Sequence, residues 1–321
     1  MRLKSFEYSE PKRLSDACSI LADQGRLANV VAGGTDLIVR MKYGVTRPEI
    51  LVDLKSVEGL SEVYEDGDVL RIGATATLTD VRKSEIVQRE FPCLAEAALA
   101  VGAAQLQNMG TLGGNLCLEP RCWYFQQSRG WRQTRSPCLK NGGLVCYMAK
   151  RAQRCYALYC GDTAAALLAL GASVRLVSST GERVLSLESF FVDDGMAHTV
   201  LAPGEVLAEI IVPRLITSRG TYLKYRKRGA VDFPIVGVGA VVREGEGGCR
   251  EARIAVTGAG SAPFVVTASG LLDSPAAIDR LADAAGKQAK PVSRMEVSPS
   301  YRKHLVRVLT KDALEDVGSG L

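Results

Sequence analysis

Six of the nine cysteines in this 321-residue chain fall between positions 117 and 160, a stretch that also holds both tryptophans. Within it, Arg121 to Cys155 reads RCWYFQQSRGWRQTRSPCLKNGGLVCYMAKRAQRC. This segment has eight basic residues (Arg121, Arg129, Arg132, Arg135, Lys140, Lys150, Arg151, Arg154) and no acidic one. Loops beyond about 12–15 residues without regular structure are uncommon in compact domains and are usually functional or disordered. Disordered segments lack Cys, Trp, Tyr and Phe, so something holds this one. Thiolates around a metal centre are the simplest candidate. The start, MRLKSFEYSEPKRL, shows no apolar stretch behind its charges, which predicts a cytoplasmic protein. There a cysteine cluster reads as a metal site before a disulfide framework.

Two glycine turns are the second chemical signal. Asn29-Val-Val-Ala-Gly-Gly-Thr-Asp-Leu reads as a strand, a tight Gly33-Gly34 turn and a helix capped by Thr35 and running to Gly44; Gly110-Thr-Leu-Gly-Gly-Asn-Leu repeats the theme. Glycine permits close backbone approach, and free N–H groups at such a turn bind phosphate. Neither turn matches a Rossmann or P-loop pattern, and a plain connector explains one alone. A pair of them suits the two ends of an extended dinucleotide. Only two histidines exist, His198 and His304, in unrelated segments. That argues against Ser-His-Asp or Cys-His catalysis and against a His-rich metal site.

The net charge of +5 hides an uneven distribution. The eight insert cations carry +8, and the other 32 basic residues face 35 acidic ones, leaving a body of −3. A local cationic patch fits an acidic partner or an anionic cofactor and speaks against general nucleic-acid binding. A solvated basic loop is the plainer alternative. No apolar run approaches the roughly 20 residues of a membrane span.

The elements around these motifs predict an α+β fold. A helix over 14–26 precedes a buried strand at Val30–Ala32. Strands follow at Ile50–Asp53 and Val69–Ile72, and helices at 78–88 and 92–101. After the insert come an apolar helix over 163–170 and strands at 174–177, 183–185 and 206–212. Polar residues 217–220 read as a linker. Beyond it the pattern gives three strands (221–228, 235–243, 250–257) and two helices (275–288, 299–317).

AGGTDL (32–37), QLQNMGTLGGNL (105–116) and a Gly-Asp pair leading the apolar helix (161–170) together resemble the flavin-binding subunit of the xanthine dehydrogenase family of molybdenum hydroxylases. The stretch from Lys224 to Val236, KYRKRGAVDFPIV, resembles the opening of that family's flavoprotein C-terminal domain. The resemblance covers essentially the whole chain. It implies an FAD-binding domain of two α/β parts over residues 1–216 and a C-terminal domain over 217–321 with a three-stranded sheet and helices. By the same resemblance Ala32, Gly33, Gly34, Thr35 and Asp36 cradle the FAD pyrophosphate, and Thr111, Gly113, Gly114 and Asn115 form the second half of the cradle. Asp162 receives the adenosine portion, and Lys224 lies near the isoalloxazine ring.

The insert, 117–160, resembles that of the β subunit of 4-hydroxybenzoyl-CoA reductases, whose loop holds a [4Fe-4S] cluster. That likeness selects Cys122, Cys138, Cys146 and Cys155, which spacing alone does not. Cys117 and Cys160 then belong to the flavin framework, and Cys18, Cys93 and Cys249 are inert. Four thiolates suit a cube, while zinc sites usually show paired C-x₂₋₄-C knuckles that these four lack. The two tryptophans are candidate shields for the cluster. The resemblance further implies a molybdopterin-binding large subunit, a [2Fe-2S] small subunit and an acidic ferredoxin-like carrier as partners, with substrate chemistry on the molybdenum chain. A related aldehyde, xanthine or N-heterocycle dehydrogenase is the alternative enzyme. A zinc-stabilised interaction module is the alternative without electron transfer.

Overall fold

The computed structural model describes residues 3–149, 151–215, 218–244, 250–269, 274–293 and 297–318. Strands β1 (Glu7–Ser9), β2 (Ala28–Val31) and β3 (Ile50–Asp53) form a parallel sheet in the order β1-β3-β2. The helix Leu14–Gln24 carries the chain from β1 to β2 and stops at Gly25, whose φ of 51° disfavours other residues. The buried strand expected at Val30–Ala32 starts earlier and leaves Val30 36% exposed, because one face of the sheet opens on a cavity.

A five-stranded antiparallel sheet follows, ordered β4-β5-β8-β6-β7: β4 (Val63–Asp66), β5 (Val69–Gly73), β6 (Ser173–Ser178), β7 (Gly181–Ser186) and β8 (Val206–Pro213). Thr77 begins the next helix with a reciprocal cap. Its Oγ1 accepts from Asp80 N at 3.0 Å, and the Asp80 carboxylate accepts from Thr77 N at 3.2 Å. The helix expected over 78–88 is two, Leu78–Lys83 and Glu85–Glu90, broken at Ser84 in extended conformation.

The C-terminal sheet has four antiparallel strands, not three: β9 (Ser218–Tyr225), β10 (Val236–Glu244), β11 (Arg250–Thr257) and β12 (Phe264–Ser269), ordered β12-β11-β10-β9. Phe-Val-Val-Thr-Ala-Ser has no clear alternation, so periodicity misses β12; pairing with β11 from Val256–Phe264 to Glu251–Ser269 makes it a strand. Ser218–Gly220, read as linker, already pair with β10; Thr217, like Cys249 and Lys150, lies outside the described residues. Helices Pro275–Gln288 and Pro299–Gly318 cover one face of this sheet through Leu281, Ala285, Leu305, Val306 and Leu314.

The helix Asp162–Ala169 is buried along its whole length. A Cβ at Gly239 of β10 would stand 2.7 Å from the Ala165 carbonyl oxygen, so glycine there lets sheet and helix touch. One apolar cluster runs from Leu70, Ile72 and Leu94 through Leu167 to Tyr222, Val241 and Ala255 of the C-terminal sheet. Burial of each such Leu or Ile contributes roughly 1.5–3 kcal/mol. This packing brings β9 against the start of the 162–169 helix. Among the described residues no helix is long and apolar enough to cross a membrane.

Candidate functional site

A cavity of about 920 Å³ lies between the parallel sheet, the five-stranded sheet and the loop of residues 231–233 that follows β9. Its wall includes Ala32, Gly33, Gly34, Thr35, Asp36, Thr111, Gly113, Gly114, Asn115 and Asp162, so ten predicted positions distant in sequence converge. The volume sits at the upper end of the usual range for ligand pockets.

The two glycine segments differ in kind. Gly33-Gly34 is a true turn, with Gly34 at φ 68°. Thr35 does not cap the following helix; that helix is Leu37–Lys42, its N-cap is Asp36, and no side chain bonds to its first turn. Among the described residues the N–H groups of Gly33, Gly34, Thr35 and Asp36 donate to no acceptor in the chain. The second segment is the first turn of a short helix, Leu112–Leu116, with its donors already used. Leu112 N reaches Ala76 O, Gly113 N reaches Ala74 O, and Gly114 N reaches Thr111 Oγ1 at 3.1 Å. The first turn therefore offers an anion four adjacent backbone donors, where the helical turn of the second segment offers none. Gly33 and Gly113 are small for packing: added Cβ atoms would stand 2.0 Å from Met109 O and 2.7 Å from the Ala74 side chain.

Asn115 ties the second segment to the 162–169 helix, its Oδ1 accepting from Thr163 N at 3.1 Å and from Thr163 Oγ1 at 2.7 Å. Asp162, buried, accepts from Tyr222 Oη at 2.7 Å and pairs with Lys224 Nζ at 2.9 Å. Burial pushes its carboxyl above the ordinary range, and the Lys224 ammonium partly pulls it back. Asp162 and Lys224 touch, so the adenosine and isoalloxazine contacts expected at them fall at one place in the fold. Lys224 also gives hydrogen bonds to Ala100 O at 2.8 Å and Asp232 O at 3.0 Å. With Asp162 these occupy its three donors, and its ammonium is not on the cavity wall. Tyr222, unmarked in the sequence reading, sits two residues from Lys224 on the same face of β9, which the period-2 rule predicts.

The insert closes on itself through a bridge between Arg121 and Leu158, with N···O distances of 2.7 and 2.9 Å. Inside, Cys122, Phe125, Cys155 and Ala157 form a small buried cluster with Cys138, Met148, Tyr124 and Val45 packed against it. Three of the four selected cysteines, Cys122, Cys138 and Cys155, thus pack together; Cys146 is not part of this apolar cluster. Cys117 packs on the main core and Cys160 in a separate cluster with Leu158 and Val292. Burial pushes the Cys155 thiol up to about 11, against the partial pull of Lys140, and raises Cys122 as well. These thiols ionise only when a cation draws them.

The insert's cations are mostly staples. Lys140, 7% exposed, pairs with Glu119 at 2.7 Å, and Glu119 also binds Arg40. Arg132 donates to Gly44 O at 2.6 Å and Phe125 O at 3.3 Å, and Arg121 pairs with Asp36. Arg135 lies 4.6 Å over the Trp131 ring. Trp123 is 49% exposed and shields nothing; Tyr124, Phe125 and Met148 pack the centre instead.

An open N–H turn on a dinucleotide-sized cavity, with an α+β scaffold around it, defines a nucleotide-cofactor protein. Residues 4–215 match the family described as the FAD binding domain in molybdopterin dehydrogenase, and residues 221–317 match the CO dehydrogenase flavoprotein C-terminal domain. The chain belongs to this family: it is an FAD-binding oxidoreductase subunit of the molybdenum hydroxylase type. It is 27% identical over 320 residues to the 6-hydroxypseudooxynicotine dehydrogenase complex subunit alpha of Paenarthrobacter nicotinovorans, covering 98% of this chain and 95% of that one. Identity to the carbon monoxide dehydrogenase medium chain of Afipia carboxidovorans is also 27%, over 97% of this chain and 96% of the relative. A carbon monoxide dehydrogenase structure from Hydrogenophaga pseudoflava superposes with a TM-score of 0.80 at 27% identity, covering 99% of each chain.

Proposed function

We propose that this chain is the FAD- and [4Fe-4S]-bearing electron-transfer subunit of a 4-hydroxybenzoyl-CoA reductase. The complex would remove the ring hydroxyl as water, using two electrons and two protons, on a molybdopterin-bearing large subunit. What supports the cluster is that Cys122 and Cys155 share one buried cluster with Cys138 packed against it, apart from Cys117 and Cys160; Cys146 joins them by the resemblance. Among the described residues no three His, Cys, Asp or Glu side chains close around a single metal ion. One zinc ion needs ligands at about 2.3 Å, whereas a cube with four iron corners takes thiolates that stand further apart. The preference for a cube over zinc rests on the resemblance and on the lack of paired C-x₂₋₄-C knuckles in the sequence.

When bound, FAD exchanges electrons in pairs or singly and the cluster passes them singly. The chain's own residues hold and insulate these groups. The N–H groups of residues 33–36 receive the pyrophosphate. Gly34 supplies the turn, and Asn115 fixes the Asp162 helix against the second segment. Phe125, Tyr124 and Met148 keep water from the cysteine centre. The reading assigns an FAD domain to residues 1–216, a C-terminal domain to 217–321 and cytoplasmic partners: the large subunit, a [2Fe-2S] small subunit and an acidic ferredoxin-like carrier.

The second reading is a flavin subunit of a dehydrogenase that oxidises an aldehyde or N-heterocycle. It is favoured by relatives such as the aldehyde oxidoreductase FAD-binding subunit PaoB of Escherichia coli, 29% identical over 83% of this chain. Assay of the native complex decides between them. Dehydroxylation of 4-hydroxybenzoyl-CoA with a low-potential donor supports the first; oxidation of an aldehyde or N-heterocycle with no such dehydroxylation overturns it.

A further inference from the structure

We propose that Arg121, the residue that opens the insert, supplies the cation that meets the pyrophosphate of FAD. The inference rests on reading residues 33–36 as the phosphate cradle. That cradle has an electrostatic problem. Asp36 places a carboxylate at the end of the open N–H turn, where the pyrophosphate brings two further negative charges. Like charges a few ångströms apart disfavour one another strongly in a partly buried site. Arg121 answers this. Arg121 lines the same cavity, its side chain is 13% exposed, and its guanidinium pairs with Asp36 and donates to Gln126 Oε1 at 3.3 Å. Its Cζ stands 4.7 Å from the centre of the Phe233 ring, another wall residue, and this cation–π contact helps hold the guanidinium in place. A planar fork with five donors can satisfy a carboxylate and a phosphate oxygen together.

The other guanidinium on the wall, Arg40, is committed to Glu119, which it shares with Lys140. Arg121 has a fixed root, because its N and O both pair with Leu158. The next residue is Cys122. One backbone bridge therefore carries a flavin contact and a cysteine of the insert centre, which makes the insert part of the FAD site.

The test uses the full chain, stripped of flavin and titrated with FAD and with riboflavin, which has no phosphate. Arg121→Gln should weaken FAD binding about ten- to hundredfold, as expected for a lost charge-assisted bond, and leave riboflavin binding unchanged. Arg121→Lys, which keeps the charge and loses the fork, should fall between. The Asp36→Asn/Arg121→Gln double variant should remain weak. Full recovery of FAD affinity in that double variant would make Arg121 a mere counter-ion and overturn the proposal. Equal weakening of FAD and riboflavin would reduce it to packing and also overturn it. Gly34→Val run in parallel separates the two claims. Normal FAD binding by Arg121→Gln with loss in Gly34→Val sinks Arg121 alone, whereas normal binding in both sinks the cradle itself.

Discussion

Gly33 and Gly34 are neighbours with different reasons to be glycine. At Gly33 a methyl group would collide with the Met109 carbonyl, so the turn could no longer rest on the segment before Thr111. At Gly34 the methyl would press only on the Ile38 side chain, at 3.3 Å, but φ is 68°. Gly33→Ala should therefore cost stability, about 1–3 kcal/mol as overpacking. Gly34→Ala should cost about 1–2 kcal/mol as left-handed strain. Thermal melts of the flavin-free chain check both, and a Gly33→Ala melt equal to wild type would mean the two segments do not touch. His198 offers a pH test. Burial lowers its imidazole from 6.5 to about 4, and its Nε2 lies 3.3 Å from Cys117 O. Between those values the unfolded chain takes up a proton that the folded chain refuses, so stability falls as pH drops from 6.5 toward 4. The melting temperature should decline over that window, and His198→Gln should flatten the decline. The glycine turns were readable because their dipeptides are rare punctuation. The Asp162–Lys224 contact was not, since nothing in sequence says that residues 62 apart share a buried pair.

At the scale of the insert, the sequence showed that the loop must be held and by which residue types; the assignment of its four cysteines came by resemblance. The use of its charges was hidden. Lys140, Arg132 and Arg121 read as a cationic face, yet Lys140 pairs with Glu119 at the start of the insert, and Arg132 and Arg121 reach Gly44 and Asp36 in the flavin fold. A charge run names no partner, so only packing distinguishes a staple from a docking charge. Cys138→Ser or Cys146→Ser should remove iron and sulfide while FAD stays bound, because the Arg121–Leu158 bridge lies at the loop's base. Iron retained in both variants would show the wrong ligands were chosen. Arg129 and Arg135 are exposed and have no carboxylate partner among the described residues. Reversing these two to Glu should slow reduction by an acidic ferredoxin at low salt, and raising the ionic strength should narrow the gap. Equal stopped-flow rates at every salt concentration would mean the carrier enters elsewhere.

Across the whole molecule, two sheets, the start of the insert and the loop after β9 meet at one cavity, with the C-terminal sheet behind the Asp162 helix. The first sheet brings the open turn and the five-stranded region brings Thr111–Asn115. The C-terminal sheet brings Tyr222 and Lys224 to Asp162. The order of elements and the two closing helices could be read from caps, prolines and periodicity. The fourth C-terminal strand could not, because a short apolar run looks the same in a strand and in a buried loop. A chain that holds flavin and an iron–sulfur cube together must yield both on metal, sulfide and flavin analysis after anaerobic purification. The expected result is about one FAD, four iron and four acid-labile sulfide per chain, with all iron lost on Cys138→Ser. Flavin with no iron, or zinc bound by the same cysteines, would overturn the joint assignment.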